Sequence, residues 1–135
     1  MTVEHWRSMD HGIRLSTVNI NAPDPRALGA FYARLLGWEV VHDEPGWVVI
    51  GHGDDYVRVS FEEDDNFQRP VWPSEPGKPP IQMHLDIRVT DLDRAVGHAL
   101  ECGAELSSYQ PQDDVRVCLD PAGHAFCLWL DESGD

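Results

Sequence analysis

The chain has 135 residues, 41% hydrophobic and 25% charged, which suits one soluble domain with a core of ordinary size. Asp and Glu outnumber Lys and Arg by 24 to 10, and the resulting net charge of −14 repels phosphate backbones, excluding nucleic acid as a partner. No apolar run approaches the roughly 20 residues of a membrane span, so no membrane partner is expected. Residues 1–12 form a polar tail without the apolar centre of a secretion signal, and three cysteines in such a chain point to reduced thiols in the cytoplasm.

In chain order, IRLSTVNINAPDPRALGAFYARLLGW (13–38) opens with alternation, Val18 and Ile20 on one face and Thr17, Asn19 and Asn21 on the other, which predicts a strand. Asp24 then stands where a helix N-cap belongs, with Pro25 at the first helical position. Ala27, Leu28, Phe31, Tyr32 and Leu35 supply an apolar stripe, and Gly37 ends the helix. Three short strands are predicted at 38–42, 46–51 and 55–62, separated by the turn signals Glu44-Pro45-Gly46 and Gly51-His52-Gly53-Asp54. In YVRVSFEE (56–63), Val57, Val59 and Phe61 should face the helix, which leaves Arg58, Ser60 and Glu62 on the opposite face.

The segment DDNFQRPVWPSEPGKPP (64–80) carries five prolines and reads as an ordered, irregular loop. About 67 residues after its first appearance the same plan returns. Over 82–89, Met83, Leu85, Ile87 and Val89 alternate with Gln82, His84, Asp86 and Arg88, so a second amphipathic strand is expected. Asp91 caps a helix carrying Leu92, Ala95, Val96, Ala99 and Leu100, which ends at Gly103. Strands at 104–110, 114–119 and 124–130 follow, the last two joined by DPAGH (120–124), before a short tail over 132–135.

Each half, 13–63 and 81–131, is therefore β-α-β-β-β. One helix can cover only one face of its sheet, so the two modules are expected to turn their open faces toward each other. The expected fold class is α+β: two βαβββ modules pairing into a cleft-forming, mostly antiparallel sheet with the helices outside. The amphipathic first strands are then cleft walls. Their polar faces bring together Thr17, Asn19, Arg58, Ser60, Glu62, Gln82, His84, Asp86, Cys127 and Trp129, with Trp47 and Tyr109 as neighbours. Tryptophans 38, 47, 72 and 129 also fit plain roles as core or loop anchors.

Paired βαβββ modules with N-A-P-D-P-x-x-L-x-x-F-Y-x-x-L-L-G-W, H-L-D-I-x-V-x-D-L-D-x-A and D-P-A-G-H-x-F-C-L resemble the vicinal-oxygen-chelate superfamily, which includes glyoxalases, bleomycin-resistance proteins and extradiol dioxygenases. The resemblance covers about residues 13–130, and the FQRPVWP loop (67–73) ahead of the HLD strand is similar to that of glyoxalase-like domain proteins. It implies a divalent metal held by one residue on the first and last strand of each module, typically His and Glu. Those positions fall here at Thr17, Arg58, His84 and Cys127. A guanidinium opposes a cation and a hydroxyl is a poor substitute for imidazole, so no metal cofactor is expected from this quartet.

A metal-independent protein that binds a small organic molecule, as bleomycin-resistance relatives do, is therefore the first functional expectation. The alternative is a metal-dependent lyase, isomerase or dioxygenase using His84 with Glu62 or Cys127. Metal-free proton transfer, with His84 as base beside Asp86 or Glu62, and a His84–Cys127 nucleophile pair are further chemistries that the residue types allow. Superfamily members commonly pair, which implies a homodimer.

Overall fold

The computed structural model describes residues 10–53 and 57–133. His5 of the N-terminal tail, positions 55 and 56 of the expected third hairpin strand, Asp54 of its turn, and the last two residues lie outside them. The chain divides into two compact units, the first running to Asp65 and the second from Asn66.

In the first unit, a single 3-10 turn at Asp10–Gly12 precedes β1 (Thr17–Ala22), α1 (Pro25–Leu36), β2 (Glu39–Glu44), β3 (Trp47–Gly51) and β4 (Arg58–Glu63). The sheet order is β1-β4-β3-β2, with β1 and β4 parallel and the other pairings antiparallel. The helix starts as expected: the Asp24 carboxylate accepts from the Ala27 N–H at 3.1 Å, and Gly37 takes the left-handed conformation that stops it. Leu28, Phe31 and Tyr32 are buried against Val48, Ile50, Val59 and Phe61, with Tyr32 and Phe61 stacked at 5.6 Å between ring centroids. Gly29 is where helix and sheet come closest; a Cβ there would stand 2.7 Å from the Val48 side chain. Ala27, counted in the stripe, instead faces solvent.

The second unit repeats this order with β5 (Leu85–Val89), α2 (Leu92–Cys102), β6 (Glu105–Leu106), β7 (Val115–Leu119) and β8 (Ala125–Leu130), in sheet order β5-β8-β7-β6. Asp91 caps α2 by accepting from the Arg94 N–H at 3.1 Å, and Gly103 closes it. Asp120 builds the β7–β8 turn: its buried carboxylate accepts from the Ala122 and His124 N–H groups at 2.9 and 3.0 Å.

Two strand expectations are corrected. β5 begins only at Leu85, so Gln82 and His84 sit in the segment leading into the strand, and Met83 is 76% exposed instead of facing the core. Upstream, Pro79 and Pro80 lack N–H groups, and pairing with β8 starts at Leu85 opposite Phe126. β6, expected over 104–110, has only two residues. Beyond Ser107, the Gln110 side chain takes the place of a strand backbone. Its amide N–H donates to the Val117 carbonyl at 2.8 Å and its oxygen accepts from the Val117 N–H at 2.9 Å.

Residues 66–80 fold back over the second sheet. The Phe67 and His124 rings meet at 5.2 Å, Arg69 pairs with Glu105 at 3.8 Å and runs beside Gly123, and Val71 bridges to Pro80. A Cβ at Gly123, whose φ is +95°, would run into the Arg69 side chain. Trp72, held by this strap, packs on Val117, Ala125 and Cys127.

Candidate functional site

On the first sheet, the residues facing away from α1 are set by the β1–β4 register: Thr17 opposite Arg58, Asn19 opposite Ser60 and Asn21 opposite Glu62. Thr17, Asn19, Arg58, Ser60 and Glu62 thus share one face, on which Thr17, Asn19 and Ser60 have protein partners. Ser60, 2% exposed, donates its hydroxyl to Asn19 Oδ1 at 2.6 Å; the Thr17 and Ser16 hydroxyls meet at 3.1 Å; and the Arg58 side chain lies along Gly51. Trp47, opposite Glu62 on the neighbouring strand, has its ring 4.5 Å from that of His42.

On the second sheet, Asp86 stands opposite Cys127, and Arg88 opposite Trp129. His84, Asp86, Cys127, Trp129 and Tyr109 line one pocket of about 540 Å³, together with Trp72, Pro111, Gln112, Val115 and Val117. Gln82 is exposed and does not line it. Trp72 forms one wall, stacked on the His84 imidazole at 5.0 Å and 26° and meeting Tyr109 edge-on at 5.4 Å and 66°. At the polar end, His84 Nε2 lies 3.2 Å from Asp86 Oδ1. Burial, and next to it the Asp86 carboxylate, pushes the Cys127 thiol pKa up, so the sulfur keeps its proton at neutral pH. A protonated, buried thiol is a weak nucleophile, which speaks against a His84–Cys127 attacking pair.

The pocket's lower wall, Pro111, Gln112, Val115 and Val117, and the role of Trp72 have no marker in the sequence. Periodicity shows which face of a strand is open, but not which loop folds over it.

The metal that the resemblance implies can be tested against these donors. Thr17 offers a hydroxyl already engaged with Ser16, and Arg58 directly opposite offers only N–H donors under a permanent positive charge. Those first-module positions do not fit a divalent cation, and the four-residue arrangement fails with them. The second module by itself presents a different set: a His84 ring nitrogen, an Asp86 oxygen and Cys127 Sγ all within 4.8 Å of one another, donor types that zinc accepts. The third donor beside His84 and Cys127 is thus Asp86.

No helix among the described residues is long and apolar enough to cross a membrane. A family model described as "Glyoxalase-like domain" matches residues 17–129. No curated protein matches the chain. Among solved structures, a glyoxalase/bleomycin resistance protein/dioxygenase family enzyme from Burkholderia phytofirmans is 21% identical, with a TM-score of 0.63 over 86% of this chain and 97% of that one. The trypanothione-dependent glyoxalase I of Leishmania major is 18% identical, with a TM-score of 0.64 over 90% of this chain and 88% of its own. A lactoylglutathione lyase from Agrobacterium tumefaciens is 16% identical, with a TM-score of 0.59 over 90% and 96%. At these identities the likeness is one of fold.

Proposed function

Because the chain belongs to the glyoxalase-like domain family, we propose that it uses the family's fold to bind a small organic molecule, without the four-ligand metal centre of the catalytic relatives. The observation that carries this reading is the second-module pocket itself. Its volume of about 540 Å³ is that of a small-molecule site, and its walls are Trp72, Tyr109, Trp129 and the aliphatic Val115 and Val117, with His84 and Asp86 as the polar end. A planar group lies against the aromatic wall while the polar end fixes its orientation. A role of sequestration, like that named for bleomycin-resistance proteins, follows from binding without turnover. Cytoplasmic residence, which suits three free cysteines, and assembly as a homodimer belong to the same proposal.

A thermal-shift screen of chelator-treated protein against a library of small aromatic and cationic compounds tests it. The expected result is a rise in midpoint with saturating compound and no chemical change in it. If no compound raises the midpoint, or only metal-loaded protein responds, the reading fails.

The His84–Asp86–Cys127 donor set supports a second reading, a metal-dependent lyase, isomerase or dioxygenase. A divalent ion bound there would supply Lewis-acid polarisation of an oxygen on the substrate. In that case Cys127 would give up its thiol proton, Asp86 would neutralise charge, and Trp72 would hold the His84 ring in place. Stoichiometric metal in purified protein that is lost in His84→Ala would favour this reading over the first.

A further inference from the structure

From the composition of the pocket walls we infer that the ligand is an organic cation, specifically an alkylated (tertiary or quaternary) ammonium compound; this rests on the small-molecule reading above and names the class of molecule that it takes. The lining contains one carboxylate, Asp86, and neither Lys nor Arg. Arg58, the cationic residue of the expected cleft set, belongs to the first module, where its side chain lies along Gly51. An anion entering this pocket would therefore face an acidic group with no permanent positive charge to pair with, and would lose its hydration without compensation.

The aromatic residues set the kind of cation. Besides the His84 imidazole, which is stacked on Trp72, three aromatic rings line the pocket: Trp72, Tyr109 and Trp129. Trp72 and Tyr109 meet at 66° with centroids 5.4 Å apart, so they form two walls of a corner instead of one flat stack. Ring faces carry negative electrostatic potential, and a cation within about 6 Å of a ring centroid is attracted to it. A primary ammonium or a guanidinium would also need several hydrogen-bond acceptors to replace its water, and few side chains of this lining offer one: Asp86, which lies 3.2 Å from the His84 ring, His84 itself, Gln112 and the Tyr109 hydroxyl. An alkylated ammonium has few or no N–H groups to satisfy. It presents methyl or methylene groups to the rings and needs a single counter-charge, and the pocket matches both requirements. The chain's net charge of −14 adds a favourable long-range field for a cation.

Choline and its uncharged carbon isostere 3,3-dimethylbutan-1-ol separate charge from shape. Both are titrated into the whole protein after chelator treatment, with affinity read by ligand-observed NMR and tryptophan fluorescence. The charged member is expected to bind at least about tenfold more tightly. Asp86→Asn should bring the two within about threefold of each other, and Trp72→Leu should weaken the cation further while leaving the far-UV circular dichroism unchanged. Equal affinity for the pair, with both displaced together by an aromatic fragment, would overturn the cation inference and leave small-molecule binding standing. Cation binding that persists in both variants would place it on the acidic surface and overturn the inference as well. If neither probe nor any member of a fragment library binds, the small-molecule reading itself falls and the inference with it.

Discussion

The two modules have the same strand order and the same helix caps, yet their open faces differ at matched positions. Asn19 opposite Ser60 in the first corresponds to Asp86 opposite Cys127 in the second, each lying five residues before its helix cap. The first pair is neutral and closed by a 2.6 Å hydrogen bond, whereas the second pairs a carboxylate with a buried protonated thiol, and His84 stands where the first module has Thr17. The helices differ in the same sense: α1 buries Pro25, Leu28, Gly29, Phe31 and Tyr32, whereas α2 buries only Ala99 fully. One copy of the plan has invested in packing, and the other leaves an aromatic-walled pocket under a strap. Repeating a fold allows that division, because one copy can pack its helix closely while the other keeps polar groups open to a ligand.

The sharpest way to break the comparison is in the cores. Phe61→Ala, which removes a fully buried ring stacked on Tyr32, should cost about 3–5 kcal/mol in denaturant unfolding. Leu100→Ala on the half-exposed side of α2 should cost less than about 1 kcal/mol. Equal losses would mean that the outer side of α2 is packed as closely as the α1 core. Next in size is Gln110→Ala. It removes the acceptor of the Val117 N–H and one of the two donors to its carbonyl, which keeps the Ser107 N–H at 3.0 Å, and should cost about 1–3 kcal/mol while loosening the pocket wall, a change that urea unfolding and hydrogen exchange at Val117 can follow. Gly123→Ala, at a positive φ and against Arg69, should lift the strap, costing about 1 kcal/mol and changing Trp72 fluorescence.

A further expected effect is confined to alkaline pH. Burial raises the Cys118 thiol from 9.0 to about 11, with Cys127 adding to the shift. Between those values the unfolded chain has lost the thiol proton and the folded chain keeps it, so stability is intact below pH 9.0 and declines as pH rises toward about 11. Cys118→Ala should flatten that decline in thermal melts taken across this range; an unchanged slope would assign the decline to other groups.

What could be read from the sequence follows from the range of each interaction. Both helix starts were legible because an Asp cap and the N–H that it satisfies are three residues apart: Asp24 with Ala27, and Asp91 with Arg94. The face shared by Arg58, Ser60 and Glu62 came from alternation, and the β-α-β-β-β order from alternation together with the helical stripes and turn signals. Alternation failed at Met83, since an apolar residue ahead of the first ladder pair has no sheet to pack on. β6 came out short because the Gln110 side chain, reaching across to Val117, does what backbone was expected to do. Trp72 was invisible as a wall because its position depends on Phe67 and Arg69 finding partners far along the chain, at His124 and Glu105. The polar residues of the second sheet were legible together with Trp129 and Tyr109, but Trp72 over them was not.

The claim that the second module's pocket takes an organic molecule without metal is tested most directly by calorimetric titration of chelator-treated protein with choline or a stronger alkylammonium hit, run beside Trp72→Leu and Trp47→Leu. The account predicts saturable one-to-one binding that is weakened in Trp72→Leu and unchanged in Trp47→Leu. Binding that appears only when a divalent metal is restored, or that Trp47→Leu abolishes while Trp72→Leu leaves it intact, would contradict it.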